Sequence, residues 1–256
     1  MIRKYALTLC LFLGFILPSQ AQLLDTATYR EAWSAMKLID PQGQLPLSVT
    51  LPQKVAFVSL PDHPYKEAFE YVNKYLPVSR QPIVGDLRDY HHLIVALPAN
   101  LDAPQRKAVH NLLQTQSVTL LLFGESQSPE KWPTTGAVIK ALDSSAGQAL
   151  AAQLVFGGVT VADWSAGIRL GYGPPEMLGM DGQLLRDSIR AIVSEGLQHK
   201  AYPGAQVLVA RQGKVIYHEA FGYHTYDSLR PTRLTDIYDL ASVTKVSSGL
   251  AAWRQW

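Results

Sequence analysis

Asp239-Leu240-Ala241-Ser242-Val243-Thr244-Lys245 is the stretch from which the rest of the chain is best read. It holds a Ser-x-x-Lys pair. If Ser242 opens a helix, the three-residue spacing carries the Lys245 amine back over the same face, beside the serine hydroxyl. That is the arrangement an activated nucleophile needs, because a serine hydroxyl is a poor nucleophile at neutral pH and a neighbouring amine can take its proton. Ser242 is then the candidate nucleophile and Lys245 its base. Taken alone such a pair is more often an N-capping serine beside a solvated lysine, so its reading depends on what leads up to it.

Upstream, residues 180–205 read MDGQLLRDSIRAIVSEGLQHKAYPGA, followed by QVLVARQGKVIYHEAFG at 206–222 and, after a polar connection, IYDLASVTK. Asp181 is placed to cap a helix running to about Gln198, with Leu184, Leu185, Ile189, Ile192, Val193 and Leu197 forming one apolar face. Two alternating runs, Gln206 to Arg211 and Lys214 to Glu219, flank Gln212-Gly213 and predict a two-residue hairpin. The order of helix, Pro-Gly turn, paired strands and DLASVTK serine closely resembles the class C β-lactamase and penicillin-binding-protein family of serine hydrolases. The resemblance implies that Ser242 is acylated and that Lys245 assists it. It also implies a serine helix set in a cleft between an antiparallel sheet and a helical region.

The sequence departs from that family after Lys245. Val246-Ser247-Ser248-Gly249-Leu250-Ala251-Ala252 and Trp253-Arg254-Gln255-Trp256 supply neither the Tyr-x-Asn element nor the Lys-Thr-Gly-like strand that the resemblance calls for. The expectation is therefore an incomplete α+β domain over residues 181–256, loosely ordered, with an unpaired strand edge and an uncovered apolar face. A chain of this kind is expected to be catalytically silent as it stands.

Over the 256 residues an apolar fraction of 47% and a charged fraction of 17% are those of globular protein, and the length accommodates two modest domains. The formal charge of +2 includes Arg3 and Lys4, and no basic stripe or run of like charge points to nucleic acid or to an anionic membrane surface. Residues 1–21 combine Arg3 and Lys4, an apolar run from Tyr5 to Leu17, and the small-residue exit Ser19-Gln20-Ala21. This pattern predicts a secretory signal peptide, hence a secreted or periplasmic protein, in preference to a membrane anchor. Cys10 is the one cysteine and lies inside that run, so a mature chain would have no thiol and no disulfide.

Residues 22–165 read as a first domain. A helical opening over Tyr29 to Leu38 precedes a turn at Pro41-Gln42-Gly43. Three apolar runs, Lys54 to Leu60, His92 to Leu97 and Val118 to Phe123, predict buried strands. Helices are expected over Pro64 to Leu76, over Ala103 to Leu113 behind an Asp102 cap with Pro104 in the first turn, and over Ser145 to Val155, ending at Gly157-Gly158. Alternating strands and helices predict an α/β fold, a three-layer sandwich around a mainly parallel sheet. The runs LLLFGESQSPEKW at 120–132 and ALDSSAGQALAAQLVFGG at 141–158 resemble the C-terminal α/β sandwich of family 3 glycoside hydrolases, in the style of a β-N-acetylglucosaminidase joined to a β-lactamase-like domain. In that family the nucleophile belongs to a preceding barrel, so none is assignable here. The alternative function is an accessory, glycan-associated module beside a separate glycosidase barrel.

The remaining candidates are weaker. His91-His92 point to opposite faces at a strand start and lack companions at ligand spacing, so no metal and no cofactor is expected. Gly171-Tyr172-Gly173-Pro174-Pro175 places prolines where a phosphate loop needs N–H donors, and residues 166–180 read as a linker. Asp86 and Asp89 belong to a wet loop. The expected substrate is a small or cell-wall-derived molecule with an amide or ester bond.

Overall fold

The computed structural model describes residues 26–48, 54–125, 132, 136–162, 167 and 169–254. The signal-peptide reading of residues 1–21, with Cys10, lies outside them. In chain order the elements are helix α1 (Thr26–Ser34), strands β1 (Lys37–Ile39) and β2 (Val55–Ser59), helix α2 (Lys66–Tyr75), strands β3 (Ser79–Pro82) and β4 (His92–Pro98), helix α3 (Ala103–Thr115), strands β5 (Val118–Phe123) and β6 (Val138–Ala141), and helix α4 (Ser145–Phe156). Then follow strand β7 (Gly171–Tyr172), a 3₁₀ turn (Pro175–Leu178), helix α5 (Gly182–Gln198), strands β8 (Gly204–Arg211) and β9 (Lys214–Gly222), a 3₁₀ turn (Ala241–Val243) and helix α6 (Thr244–Trp253). The fold is mixed α/β, with parallel and antiparallel sheets.

The first sheet has the order β1-β6-β5-β4-β2-β3. Strands β3, β2, β4, β5 and β6 are parallel, and β1 closes one edge antiparallel to β6. Every residue of β2, β4 and β5 is buried, as continuous apolar runs covered on both faces require. Successive residues alternate between two cores. Phe57, Ile94, Ala96, Leu121 and Phe123 pack with α1, α2 and α4. Val58, Leu93, Val95, Leu120 and Leu122 pack with Val109 and Leu113 of α3 on the other side.

Three strands depart from the expectation. The predicted opening helix stops at Ser34, and Lys37–Ile39 turns back as β1, so the sheet is antiparallel at that edge. Polar β3 survives because it is an edge strand, where Pro82 needs no ladder partner. The third, β6, is only four residues long. The ends of α3 and α4 follow the sequence closely. Asp102 accepts from Gln105 N–H while the Gln105 side chain reaches back to Asp102 N–H, a full capping box. Gly157 ends α4 at φ +75°, a conformation glycine adopts without strain.

The second sheet, of order β7-β9-β8, is not freely tethered. Gly171–Tyr172, expected to be linker, pairs in parallel with β9 at Lys214–Val215. Tyr172 N–H donates to Gln153 Oε1 of α4 (2.6 Å), and its carbonyl accepts from Tyr29 hydroxyl of α1 (2.9 Å). Lys214, 2% exposed, donates to the Gly158 carbonyl at 2.9 Å. A side chain at Gly171 would meet that carbonyl and the Lys214 amine, so glycine is required there for the strand to approach α4. The hairpin turn has Gln212 at φ +49° and Gly213 at φ +75°, the two left-handed positions of a type I′ turn.

Candidate active site

Helix α5 sets the approach to Ser242. Asp181 Oδ1 accepts from Leu184 N–H at 2.9 Å, the predicted cap. The predicted single apolar face is two stripes. Val193 is buried, with Leu185, Ile189 and Leu197 half-buried around it, whereas Leu184 and Ile192 stand 65% and 68% exposed. The reason is geometric: at 3.6 residues per turn the 185-189-193 row meets the sheet and the 184-192 row points away from it. Arg190 forms a bidentate ion pair with Glu219 of β9, pinning helix to sheet. Arg190 and Tyr217 hydroxyl hold the Glu219 carboxyl below its ordinary range against the opposing effect of burial.

The connection from β9 to the serine is organised by polar ties that sequence spacing does not reveal. Asp236 accepts from Arg233 N–H and pairs with His224 Nε2, both at 2.7 Å. The Arg233 N–H, with His224, holds the Asp236 carboxyl below its usual range. Gln206 of β8 donates to the Arg233 and Asp236 carbonyls, fixing the loop to the sheet. Asp239 Oδ1 then accepts from Ala241 N–H at 2.9 Å, an Asx turn that leads directly into the serine.

Ser242 lies in the 3₁₀ turn Ala241–Val243, and α6 begins two residues later at Thr244, so the serine does not itself open the α-helix. The expected consequence of the spacing still holds, because the turn runs straight into α6: Lys245 Nζ is 2.8 Å from Ser242 Oγ, with the ammonium donating. A neutral amine in the same place would accept the serine proton. Ala241 sits at φ +43°, a left-handed conformation that costs a non-glycine residue about 1–2 kcal/mol. Such strain beside a candidate nucleophile is a feature of functional sites, and the alanine gave no hint of it. Ser242 and Lys245 are both exposed. The burial that would desolvate the amine is therefore not provided by the described residues.

The other candidates resolve as structural. His92 is buried with Nδ1 2.8 Å from Ser117 Oγ and Nε2 2.9 Å from Thr119 Oγ1, while His91 Nδ1 accepts from Lys54 N–H at 3.0 Å. Asp86 pairs with exposed Arg88 at 2.8 Å, and Asp89 is on the surface. Among the described residues no group of three or more His, Cys, Asp or Glu is placed to hold a metal ion. No described helix is long and apolar enough to cross a membrane.

Comparison with known proteins places these features in context. Esterase EstB of Burkholderia gladioli is 32% identical over 80 residues, covering 31% of this chain and 20% of the esterase. Protein flp of Staphylococcus aureus (strain NCTC 8325 / PS 47) is 35% identical over 66 residues, covering 26% of this chain and 13% of flp. The chain thus spans about a fifth or less of these relatives. A solved structure, "A unique GCN5-related glucosamine N-acetyltransferase region exist in the fungal multi-domain GH3 beta-N-acetylglucosaminidase", aligns with TM-score 0.41 and 12% identity over 49% of this chain and 17% of that one. Residues 189–256, which include Ser242 and Lys245, match the family model described as Beta-lactamase.

Proposed function

We propose that residues 181–256 carry the nucleophile of an acyl-serine hydrolase acting on an amide or ester bond. The observation that supports the reading is the 2.8 Å contact between Lys245 Nζ and Ser242 Oγ inside the segment related to β-lactamases. In the proposed step Ser242 Oγ attacks the carbonyl carbon while its proton passes to neutral Lys245. The tetrahedral oxyanion collapses, and the departing amine or alcohol takes a proton from Lys245. Water then attacks the acyl-serine ester, with Lys245 again receiving the proton, and Ser242 is regenerated. A fluorophosphonate probe tests the assignment. Peptide mass mapping is expected to place its adduct on Ser242 and to lose it in Ser242→Ala; an adduct that persists in that variant overturns the reading. The proposal includes export, on the pattern of residues 1–21, and a small or cell-wall-derived substrate.

A further inference from the structure

Helix α3 differs from its neighbours in charge. Helices α1, α2 and α5 mix acidic and basic residues, whereas α3 carries Arg106, Lys107 and His110 and no carboxylate. The carboxylate beside it in the chain, Asp102, is engaged at the helix end, where it accepts from Gln105 N–H. Arg106 closes the first turn and Lys107 follows it, so both cations stand near the positive end of the helix macrodipole, which disfavours them. Neither has an ion-pair partner among the described residues, and Arg106 makes one long contact, 3.4 Å from Nη2 to the Leu101 carbonyl. Two cations kept at the unfavourable end of a helix, with no carboxylate paired to them, call for an anion from outside the fold.

An open groove of about 570 Å³ runs along this face of the helix, lined by Ala103, Arg106, Lys107, His110, Asn111 and Gln114. Val109 and Leu113 anchor the other side of α3 to the sheet. His110 is half-buried and the other five lining residues are exposed, so a ligand in the groove reaches each of them. Arg106 and Lys107 lie four and three residues before His110, the spacings that make side chains neighbours on a helix surface, and Asn111 and Gln114 continue the row from Lys107. The His110 ring stands beside that of Trp132, with centroids 6.1 Å apart at 35°, which restricts its rotation. Every polar side chain of the lining donates a hydrogen bond, and an imidazole carries at least one N–H whether neutral or charged.

The lining selects the ligand. A cation would meet Arg106 and Lys107 with no acid to hold it. A carboxylate has two oxygens and a single charge, so it leaves one of the three basic side chains unused. A phosphate monoester brings three strong acceptor oxygens and a charge of about −1.5 to −2 near pH 7, which suits Arg106, Lys107 and His110 together, with the arginine fork able to take two oxygens at once. The groove is larger than a bare phosphate fills and lies within the range of small-ligand pockets, about 300–1,000 Å³. Asn111 and Gln114, whose amides both donate and accept, line its continuation and suit a polar organic group. From this we infer that the α3 groove binds a small, soluble phosphate monoester with a polar organic part. The inference does not depend on Ser242 or Lys245.

The test is an NMR titration of the isotope-labelled full chain at pH 7.5 and low salt with glycerol 3-phosphate, compared with inorganic phosphate, glycerol, acetate and vesicles containing phosphatidic acid. Glycerol 3-phosphate is expected to saturate, to shift the amides of residues 103–114, and to bind more tightly than inorganic phosphate, while glycerol and acetate do not saturate. Arg106→Gln and Lys107→Gln are each expected to weaken that binding about fivefold or more. Each removes a cation from the positive end of α3, so the melting temperature of both variants is expected to stay at or above that of the parent chain. Ser242→Ala is expected to leave the affinity unchanged, which separates this site from the acyl-serine reading. Absence of saturable binding overturns the inference, as does binding that both variants retain or acetate binding of equal strength. Inorganic phosphate bound as tightly as glycerol 3-phosphate overturns the assignment of an ester, and association with the vesicles without binding of glycerol 3-phosphate overturns that of a soluble ligand.

Discussion

Lowering the pH from 7.5 to 4 is expected to destabilise the folded chain through His92, and the size of the effect follows from its surroundings. His92 opens β4, is 5% exposed, and has both ring nitrogens engaged by the hydroxyls of Ser117 and Thr119. Neither partner is charged, so nothing at the ring compensates an imidazolium, and burial pushes its pKa down to about 4. The unfolded chain, with an ordinary histidine near 6.5, takes up a proton first as the pH falls. Stability from this group is therefore complete above pH 6.5, declines between 6.5 and 4, and levels off below. A gap of about 2.5 units at 1.36 kcal/mol each gives a loss of about 3 kcal/mol, a large share of the total stability of a typical domain. Urea denaturation at half-unit pH steps, followed by tryptophan fluorescence, measures it. His92→Phe is expected to be less stable at pH 7.5, because two hydroxyls lose their partner, but to have a shallower decline between pH 6.5 and 4. Parallel curves for parent and variant would refute the assignment of the slope to His92.

Three further outcomes follow from the same geometry. Asp102→Ala removes the capping box of α3 and is expected to cost about 1 kcal/mol in urea denaturation. Lys214→Met strips the buried Gly158 carbonyl of its donor and is expected to cost about 1–3 kcal/mol, with early proteolysis of the second sheet as a visible sign. Steady-state turnover of nitrocefin and p-nitrophenyl acetate by this chain is expected to remain at background. Ser242 and Lys245 stand exposed, and a base-activated serine without water exclusion and aimed oxyanion donors provides only part of the catalytic rate.

Legibility in the sequence followed the strength of local signals. Apolar runs long enough to fill a covered strand revealed β2, β4 and β5, and Asp102 with Pro104 marked the start of α3. Short pieces escaped: β1 has three residues, β7 has two, and β3 is polar at an edge, so each takes its shape from a neighbouring strand. At the site, three-residue spacing was enough to bring Lys245 to Ser242, because a 3₁₀ turn flowing into a helix keeps the two on one side. Gln206 and Asp236, which hold the loop before the serine, were invisible because their contacts depend on how β8 and the loop meet in space. Apolar spacing in α5 showed which residues were able to face a sheet, but it did not show that a three-stranded sheet covers only one of two stripes.

Whether Lys245 takes the Ser242 proton is read from the rate of fluorophosphonate modification of Ser242. That rate is to be measured by intact mass under single-turnover conditions for the parent chain, Lys245→Met and Lys245→Arg. Arginine keeps the charge and the hydrogen-bond donor but cannot give up its proton. Slow, stoichiometric labelling of Ser242 is expected in the parent, with a fall of about 10²-fold or more in both variants, as loss of a general base entails. Labelling of Lys245→Arg at the parental rate would show that Lys245 acts only as a charge or a donor and not as the base.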